Sequence, residues 1–243
     1  MNNKYFISGG IPPLNFHEIL YSQTAENKSF EQKPKAVILP QASCESKRFV
    51  NKFYSDYKKI GFKPTSVLFK NDEMSYDTIK EKLLSATLLY INGGNVKTLL
   101  SAWNSLHIDD IIFSLDDKIF ACVSAGASAL FQYAVSDCDK EITGKYTLVK
   151  GLGMIKGIFC PHSEDEDRMN FVKKGDLIFP DNEGEIYFSN SMPLLLSDFD
   201  NDFSLFNEKF AVKNKILCFD TNFFENKILC LPGTKIICID NLK

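Results

Sequence analysis

The chain has 243 residues, of which 44% are hydrophobic, 24% charged and 13% aromatic, a composition typical of an ordinary globular protein. No apolar run approaches the roughly 20 residues that a membrane-spanning helix needs, which argues against an integral membrane protein. The 28 basic and 31 acidic residues give a net charge of −3 without a basic stripe, so a nucleic-acid partner is not expected. A chain of this length predicts one domain over residues 1–243.

The cysteines and the first residues indicate the cellular setting. The seven cysteines form no Cys-x-x-Cys pair, and several lie in apolar runs, where a reduced thiol packs as a small hydrophobic group. The first residues hold too short an apolar stretch for a signal peptide. These features predict a reducing, cytoplasmic location. Only three histidines are present and no ligand spacing is evident, so we expect no metal site.

Short apolar runs alternate with longer amphipathic segments as far as residue 134. The runs predict strands over 35–40, 65–69, 87–92 and 119–123. The segments between and after them predict helices over 45–60, 75–84, 96–106, 109–117 and 125–134. One face of the first helix is apolar and consists of Phe49, Val50, Phe53, Tyr57 and Ile60. Continuously apolar strands between helices are typical of a parallel sheet covered on both faces, so a three-layer α/β fold is predicted.

Beyond residue 150 the pattern changes to short apolar segments. A strand over 158–160 follows a glycine-containing stretch, and turn signals such as Pro232-Gly233 separate the later segments. These segments cover 186–188, 194–196, 203–206, 216–219, 227–231 and 235–239. We interpret them as antiparallel strands of a β-rich C-terminal extension that begins near residue 185 and packs on the same domain.

Ser124 is the first candidate for chemistry. It directly follows the predicted strand 119–123 and directly precedes a helix, and Ala125 and Gly126 are small enough for a tight turn. A serine held at such a turn lies at the carboxyl edge of the sheet, beside a helix N-terminus that favours negative charge. The alternative is that Ser124 merely caps the helix. Cys122 also occupies the position where this kind of turn usually has glycine.

A second candidate is the turn Gly93-Gly94 before Asn95, at the end of the strand 87–92. Paired glycines let the backbone approach a ligand closely and present N–H groups to it. The turn could also be a plain connection with Asn95 as the helix cap. Because it ends a neighbouring strand of the same sheet, it lies at the edge where open α/β folds bind ligands.

His162 is the third candidate, since it follows the strand 158–160. A general base for Ser124 must be a histidine or a comparable group within hydrogen-bonding reach. His17 and His107 have structural explanations, so His162 fits best. A carboxylate would orient its imidazole, and Asp137, Asp139 and Glu141 all follow the helix after Ser124.

Three motifs together resemble the peptidase E and cyanophycinase family of serine peptidases. They are the run Ser124–Ala129, the Gly93-Gly94-Asn95 turn and Pro161-His162, with Gly151-Leu152-Gly153 before the histidine. The likeness runs from about residue 36 to about residue 196. It implies a fold similar to the class I glutamine amidotransferases, with a serine in place of the nucleophilic cysteine.

The resemblance also implies roles for individual residues. Ser124 would be the nucleophile and His162 the general base, while Gly94 and Ala125 would supply the oxyanion N–H groups. For the third catalytic residue the resemblance favours Asp137, with Asp139 and Glu141 left open.

The family cleaves aspartyl dipeptides or β-linked aspartyl-arginine polymers, which predicts a small peptide substrate and no cofactor. Arg168 could bind the substrate carboxylate, or it could be a surface arginine that answers the acidic run 164–167. Two other functions stay open: hydrolysis of a non-peptide amide or ester at the same site, or a non-catalytic binding protein.

Overall fold

A computed structural model describes residues 3–10, 16–25, 33–70, 74–162, 165–173, 185–189, 194–197 and 235–239. Its strands are β1 (Lys4–Ser8), β2 (Lys35–Leu39), β3 (Lys63–Ser66), β4 (Leu88–Ile91), β5 (Ile119–Val123), β6 (Phe131–Ser136), β7 (Thr147–Lys150), β8 (Ile155–Pro161), β9 (Glu185–Ser189), β10 (Leu194–Ser197) and β11 (Lys235–Ile239). Its α-helices are α1 (Phe16–Ala25), α2 (Lys47–Ile60), α3 (Tyr76–Ser85), α4 (Val96–Ser105), α5 (Ile108–Ser114), α6 (Ala125–Leu130), α7 (Lys140–Thr143) and α8 (Glu166–Lys173). A 3₁₀ helix covers Gln41–Ser43. None of these helices is long and apolar enough to cross a membrane.

The main sheet has the order β10-β1-β5-β4-β2-β3, and all its neighbouring strands are parallel except β10 against β1. Alternate residues of β5 point to opposite faces. Phe120 and Cys122 enter the core beneath α3 to α6, whereas Ile119 and Ala121 enter the core beneath α1 and α2. Both faces of the sheet are therefore covered, which confirms the predicted α/β fold and explains why β5 is apolar throughout.

The second sheet has the order β11-β9-β8-β6-β7 among the described strands. The predicted helix over 125–134 is wrong in its second half, because α6 ends at Leu130 and β6 starts at Phe131. Phe131 stacks on Phe159 of β8 with ring centroids 4.8 Å apart, and β6 pairs with β8 and β7. This pairing and stacking with a distant strand override the local helical pattern.

The C-terminal strands also differ from the prediction. The segments near 186–188 and 235–239 form β9 and β11, which run parallel to their neighbours, whereas 194–196 forms the antiparallel edge strand β10. A short apolar segment does not encode the direction of its partner, which is why the antiparallel prediction failed for two of them. The segments 203–206, 216–219 and 227–231 lie outside the described residues.

Most of the helices in the first half of the chain match their predictions closely. Ser75 caps α3 by accepting the Thr78 N–H at 3.2 Å. In α2 the side chains of Phe53 and Tyr57 are buried as expected, but Phe49 is 49% exposed. The strand predicted over 65–69 lies slightly earlier, as β3.

Candidate active site

Ser124 forms a sharp turn between β5 and α6, with φ 49° and ψ −111°. Its N–H donates to the Ser8 carbonyl at 2.7 Å, and its own carbonyl accepts the Ser128 N–H at 2.9 Å. Its hydroxyl makes no capping bond to α6. Instead, Ser124 Oγ lies 2.9 Å from His162 Nε2. The side chain is therefore turned away from the helix and toward an imidazole, as a nucleophile requires.

Small residues after Ser124 allow this turn to form. A Cβ built on Gly126 would lie 2.7 Å from the carbonyl carbon of Ile91 at the end of β4, so α6 starts in direct contact with a neighbouring strand. Cys122, at the position where glycine is usual, is fully buried, and burial raises the pKa of its thiol well above the ordinary value. That thiol packs in the core as a neutral group.

His162 follows β8 directly and adopts a left-handed conformation with φ 52°. Its carbonyl accepts the Asp165 N–H at 2.9 Å. The imidazole is half-buried, and it meets Ser124 although the two residues are 38 positions apart in the chain. The two residues that the motifs singled out as nucleophile and base are thus brought together.

The Gly93-Gly94 turn lies against Ser124. A Cβ on Gly93 would be 3.2 Å from the Ser124 Cβ. Gly94 has φ 145°, and a Cβ there would lie 2.8 Å from Ser43 N and closer still to the Ala42 carbonyl oxygen. Asn95 does cap α4, because its side chain accepts the Thr98 N–H at 2.9 Å. The turn is therefore both a helix start and a backbone segment packed beside the candidate nucleophile.

The three candidate acids have different surroundings. Asp137 accepts a hydrogen bond from the Arg168 guanidinium at 2.7 Å. Asp139 pairs with Lys97 of α4, and Glu141 is exposed on α7. A catalytic role for any of them stays a prediction.

Arg168 lies on α8 and is only 2% exposed, so the idea of a surface arginine is wrong. Its guanidinium donates to the Val135 carbonyl at 3.0 Å as well as to Asp137, while its buried Nε has no partner among the described residues. The guanidinium thus already holds a carboxylate of its own chain.

The surroundings of the other two histidines favour structural roles. His17 Nδ1 lies 3.2 Å from the Tyr57 hydroxyl in an aromatic cluster, and burial lowers its pKa. His107 is exposed near Asp110, in a left-handed conformation before α5. Within the described part of the chain, no group of three or more His, Cys, Asp or Glu side chains is arranged to hold a metal ion.

Several residues around this site were not singled out in the sequence. Ser8 supplies the carbonyl that holds the Ser124 N–H, and Tyr146 and Asp165 lie next to the segment that carries His162. The short apolar run Tyr5–Ile7 was the local signal for β1. No local signal pointed to Tyr146.

Comparisons with known proteins place the chain among peptidases. A model of peptidase family S51 matches residues 15–183. The uncharacterized peptidase YgaJ of Bacillus subtilis (strain 168) is 30% identical over 146 residues, which is 58% of this chain but only 59% of that relative's length.

Two crystal structures share the fold. A protein named as a peptidase E from Listeria monocytogenes EGD-e has a TM-score of 0.57 at 15% identity, covering 82% of this chain and 96% of that one. A peptidase from an acI-B1 Actinobacterium has a TM-score of 0.54 at 18% identity, covering 82% and 85%. At these identities the likeness is one of fold.

Proposed function

The chain belongs to peptidase family S51, and on that premise we propose that it hydrolyses small peptides with Ser124 as nucleophile and His162 as general base. The observation that carries the proposal is the 2.9 Å contact between Ser124 Oγ and His162 Nε2, made by a serine that does not cap its helix. Nucleophile and base within hydrogen-bonding distance are what acyl transfer needs.

The reaction proceeds in two halves. Ser124 Oγ attacks the scissile carbonyl carbon and its proton passes to His162 Nε2. The tetrahedral intermediate then collapses, the C–N bond breaks, and His162 returns the proton to the leaving amine. Water, deprotonated by His162, attacks the acyl ester. As the C–O bond to Ser124 breaks, His162 returns the proton to Ser124 Oγ and the acid product is released.

The negative charge of the intermediate is stabilised by backbone N–H groups of Gly94 and Ala125. Ala125 is the first residue of α6, and the first N–H groups of a helix have no acceptor within it. Gly94 belongs to the turn whose neighbour Gly93 packs on Ser124. An oxyanion between these two N–H groups would also lie at the positive end of the helix dipole.

For the third catalytic residue we favour Asp137, with Asp139 and Glu141 as alternatives. Replacing each by its amide separates them, because loss of the true orienting carboxylate lowers kcat by about 10⁴-fold. The amide at either of the other two positions should leave kcat within a few fold of the wild type.

The proposed substrates are aspartyl dipeptides, cleaved in the cytoplasm. Arg168 would be the residue that recognises the substrate carboxylate. Because its guanidinium is bonded to Asp137, a purely structural role is the alternative, and one substitution distinguishes the two. If Arg168 binds the substrate, Arg168→Lys raises KM for aspartyl substrates alone. If it only joins α8 to β6, the same change lowers Tm and leaves the ratio of kcat/KM values between aspartyl and other substrates unaltered.

A second substrate class is favoured by the same contact. Because the Arg168 guanidinium is buried on Asp137, the site could act on a small amide or ester that carries no carboxylate. A panel of aspartyl dipeptides, matched alanyl dipeptides and simple esters distinguishes the two classes by kcat/KM.

The decisive experiment is labelling with a fluorophosphonate followed by mass spectrometry. One adduct on Ser124, absent from Ser124→Ala, supports the activated serine. No adduct on folded protein contradicts the mechanism and favours a non-catalytic binding protein.

A further inference from the structure

A buried tyrosine lies behind the segment that carries His162. Tyr146 is 5% exposed, and its hydroxyl donates to Asp165 Oδ2 at 2.6 Å while accepting from Lys140 Nζ at 2.9 Å. The ring also lies beneath two cations, with Lys140 Nζ 4.3 Å and the Arg168 guanidinium carbon 4.8 Å from its centroid. Both the hydroxyl and the ring of Tyr146 are therefore in contact with charged side chains.

Asp165 joins this tyrosine to the histidine. Its Oδ1 accepts the N–H groups of Asp167 at 3.0 Å and Arg168 at 3.2 Å, so it caps α8. Its own N–H donates to the His162 carbonyl at 2.9 Å. One carboxylate thus receives the Tyr146 hydroxyl and the start of α8 while its backbone holds His162.

His162 needs such support because of its backbone. A non-glycine residue at φ 52° is uncommon, and such a strained conformation persists only where neighbouring contacts maintain it. On one side His162 is attached to β8, which pairs with β6 and β9. On the other side, the Asp165 N–H binds the His162 carbonyl at 2.9 Å.

The surrounding charges favour the same arrangement. The hydrogen bond from Tyr146 is the main reason that the pKa of Asp165 is lowered, and nearby Lys140 and Arg168 act in the same direction. The carboxylate is therefore ionised at neutral pH, the state that accepts all three hydrogen bonds.

We propose that Tyr146 and Asp165 are positioning residues for His162, holding its imidazole at the distance from Ser124 that proton transfer requires. The inference rests on the proposed function. Neither residue touches the reacting atoms; they act by fixing the turn from which the imidazole projects. A displacement of about 1 Å at such a site can lower the rate by about 100-fold.

The test compares Tyr146→Phe with Tyr54→Phe. Both variants lose one phenol hydroxyl that hydrogen-bonds to side chains. The Tyr146 hydroxyl binds Asp165 and Lys140, whereas the Tyr54 hydroxyl binds Ser66 Oγ at 3.3 Å, at the β3 edge of the sheet. We expect Tyr146→Phe to lower the fluorophosphonate labelling rate of Ser124 by 10- to 100-fold, and Tyr54→Phe to stay within twofold of the wild type. The labelling rate should fall further in Asp165→Ala than in Asp165→Asn, because asparagine keeps a side-chain oxygen that can cap α8. A labelling rate of Tyr146→Phe within twofold of the wild type overturns the proposal.

A second readout does not depend on activity. The chain has only three histidines, so ¹H–¹⁵N spectra of histidine-labelled protein can be assigned with single substitutions. We expect one sharp set of His162 ring signals with Nε2 unprotonated in the wild type, and exchange-broadened or mixed tautomers in Tyr146→Phe. Identical His162 signals in both proteins overturn the proposal. If the wild type shows no labelling at all, the proposed function fails, while this spectrum still decides the positioning claim.

Discussion

Replacing Gly94 by alanine should damage both the fold and the site. Its φ of 145° is a conformation that residues with a side chain rarely adopt, which costs about 1–3 kcal/mol. The new Cβ would also lie 2.8 Å from Ser43 N and nearer to the Ala42 carbonyl, where backbone must move. That carbonyl accepts the Asn95 N–H at 2.7 Å, and losing this bond costs about 1 kcal/mol more. The free energy of unfolding should fall by about 3 kcal/mol.

Gly144 offers a matched control for this substitution. It also has a positive φ, of 70°, but no atom lies within 4 Å of the Cβ that alanine would add. Gly144→Ala therefore isolates the cost of the left-handed conformation, about 1 kcal/mol, without the clash. Urea denaturation measures both variants under the same conditions.

Activity provides the second half of the test. Moving the Gly94 N–H away from the developing oxyanion should lower kcat/KM by about 10²–10³-fold, as removal of one such donor does. Gly144→Ala should retain activity within a few fold of the wild type. The reasoning is refuted if Gly94→Ala is as stable as Gly144→Ala, or if it labels Ser124 at the wild-type rate.

Three further predictions concern Ser124, the thiols and acid stability. Ser124→Gly should be inactive, like Ser124→Ala. Its free energy of unfolding in urea should exceed that of Ser124→Ala by about 1 kcal/mol, because glycine adopts the positive φ of this turn without strain. Equal stability of the two variants would show that the turn is unstrained. Iodoacetamide should alkylate exposed Cys44 in the folded protein and leave Cys122 unmodified, because burial raises the pKa of the Cys122 thiol, as peptide mass mapping can verify. The third prediction concerns Asp165, whose pKa in the folded state is lowered from 3.8. Its ionised carboxylate therefore stabilises the fold at pH values above 3.8, and this stabilisation is lost as the pH falls through the lower pKa of the folded state. The stability lost in Tyr146→Phe should therefore be largest at neutral pH and shrink below about pH 4; a loss that does not vary with pH would argue against this link.

The sequence predicted those parts of the fold that local patterns encode. The strand 119–123 and the helix α4 follow from an apolar run and from helical periodicity. The same local information placed Ser124 and His162 at the carboxyl ends of two strands. Both that placement and the family motifs predicted that the two residues would meet, and the structure brings them to 2.9 Å.

What the sequence could not predict depends on contacts between distant residues. β6 was interpreted as helix because its pairing with β8 and the stacking of Phe131 on Phe159 are invisible locally. The burial of Arg168 on Asp137, which excludes the alternative of a surface arginine, is invisible locally for the same reason. Tyr146 carries no motif, and the role proposed for it rests on its hydrogen bond to Asp165, which only the structure shows.

The bond between the Ser124 N–H and the Ser8 carbonyl has a consequence for the order of assembly. β1 lies beside β5 in parallel. The first described strand can therefore pair with β5 only after more than a hundred further residues have been synthesised. Closing so long a loop is slow compared with local helix formation. In a nascent or partly folded chain the turn that carries Ser124 is therefore unformed, and the proposed peptidase site is assembled only when the sheet is complete.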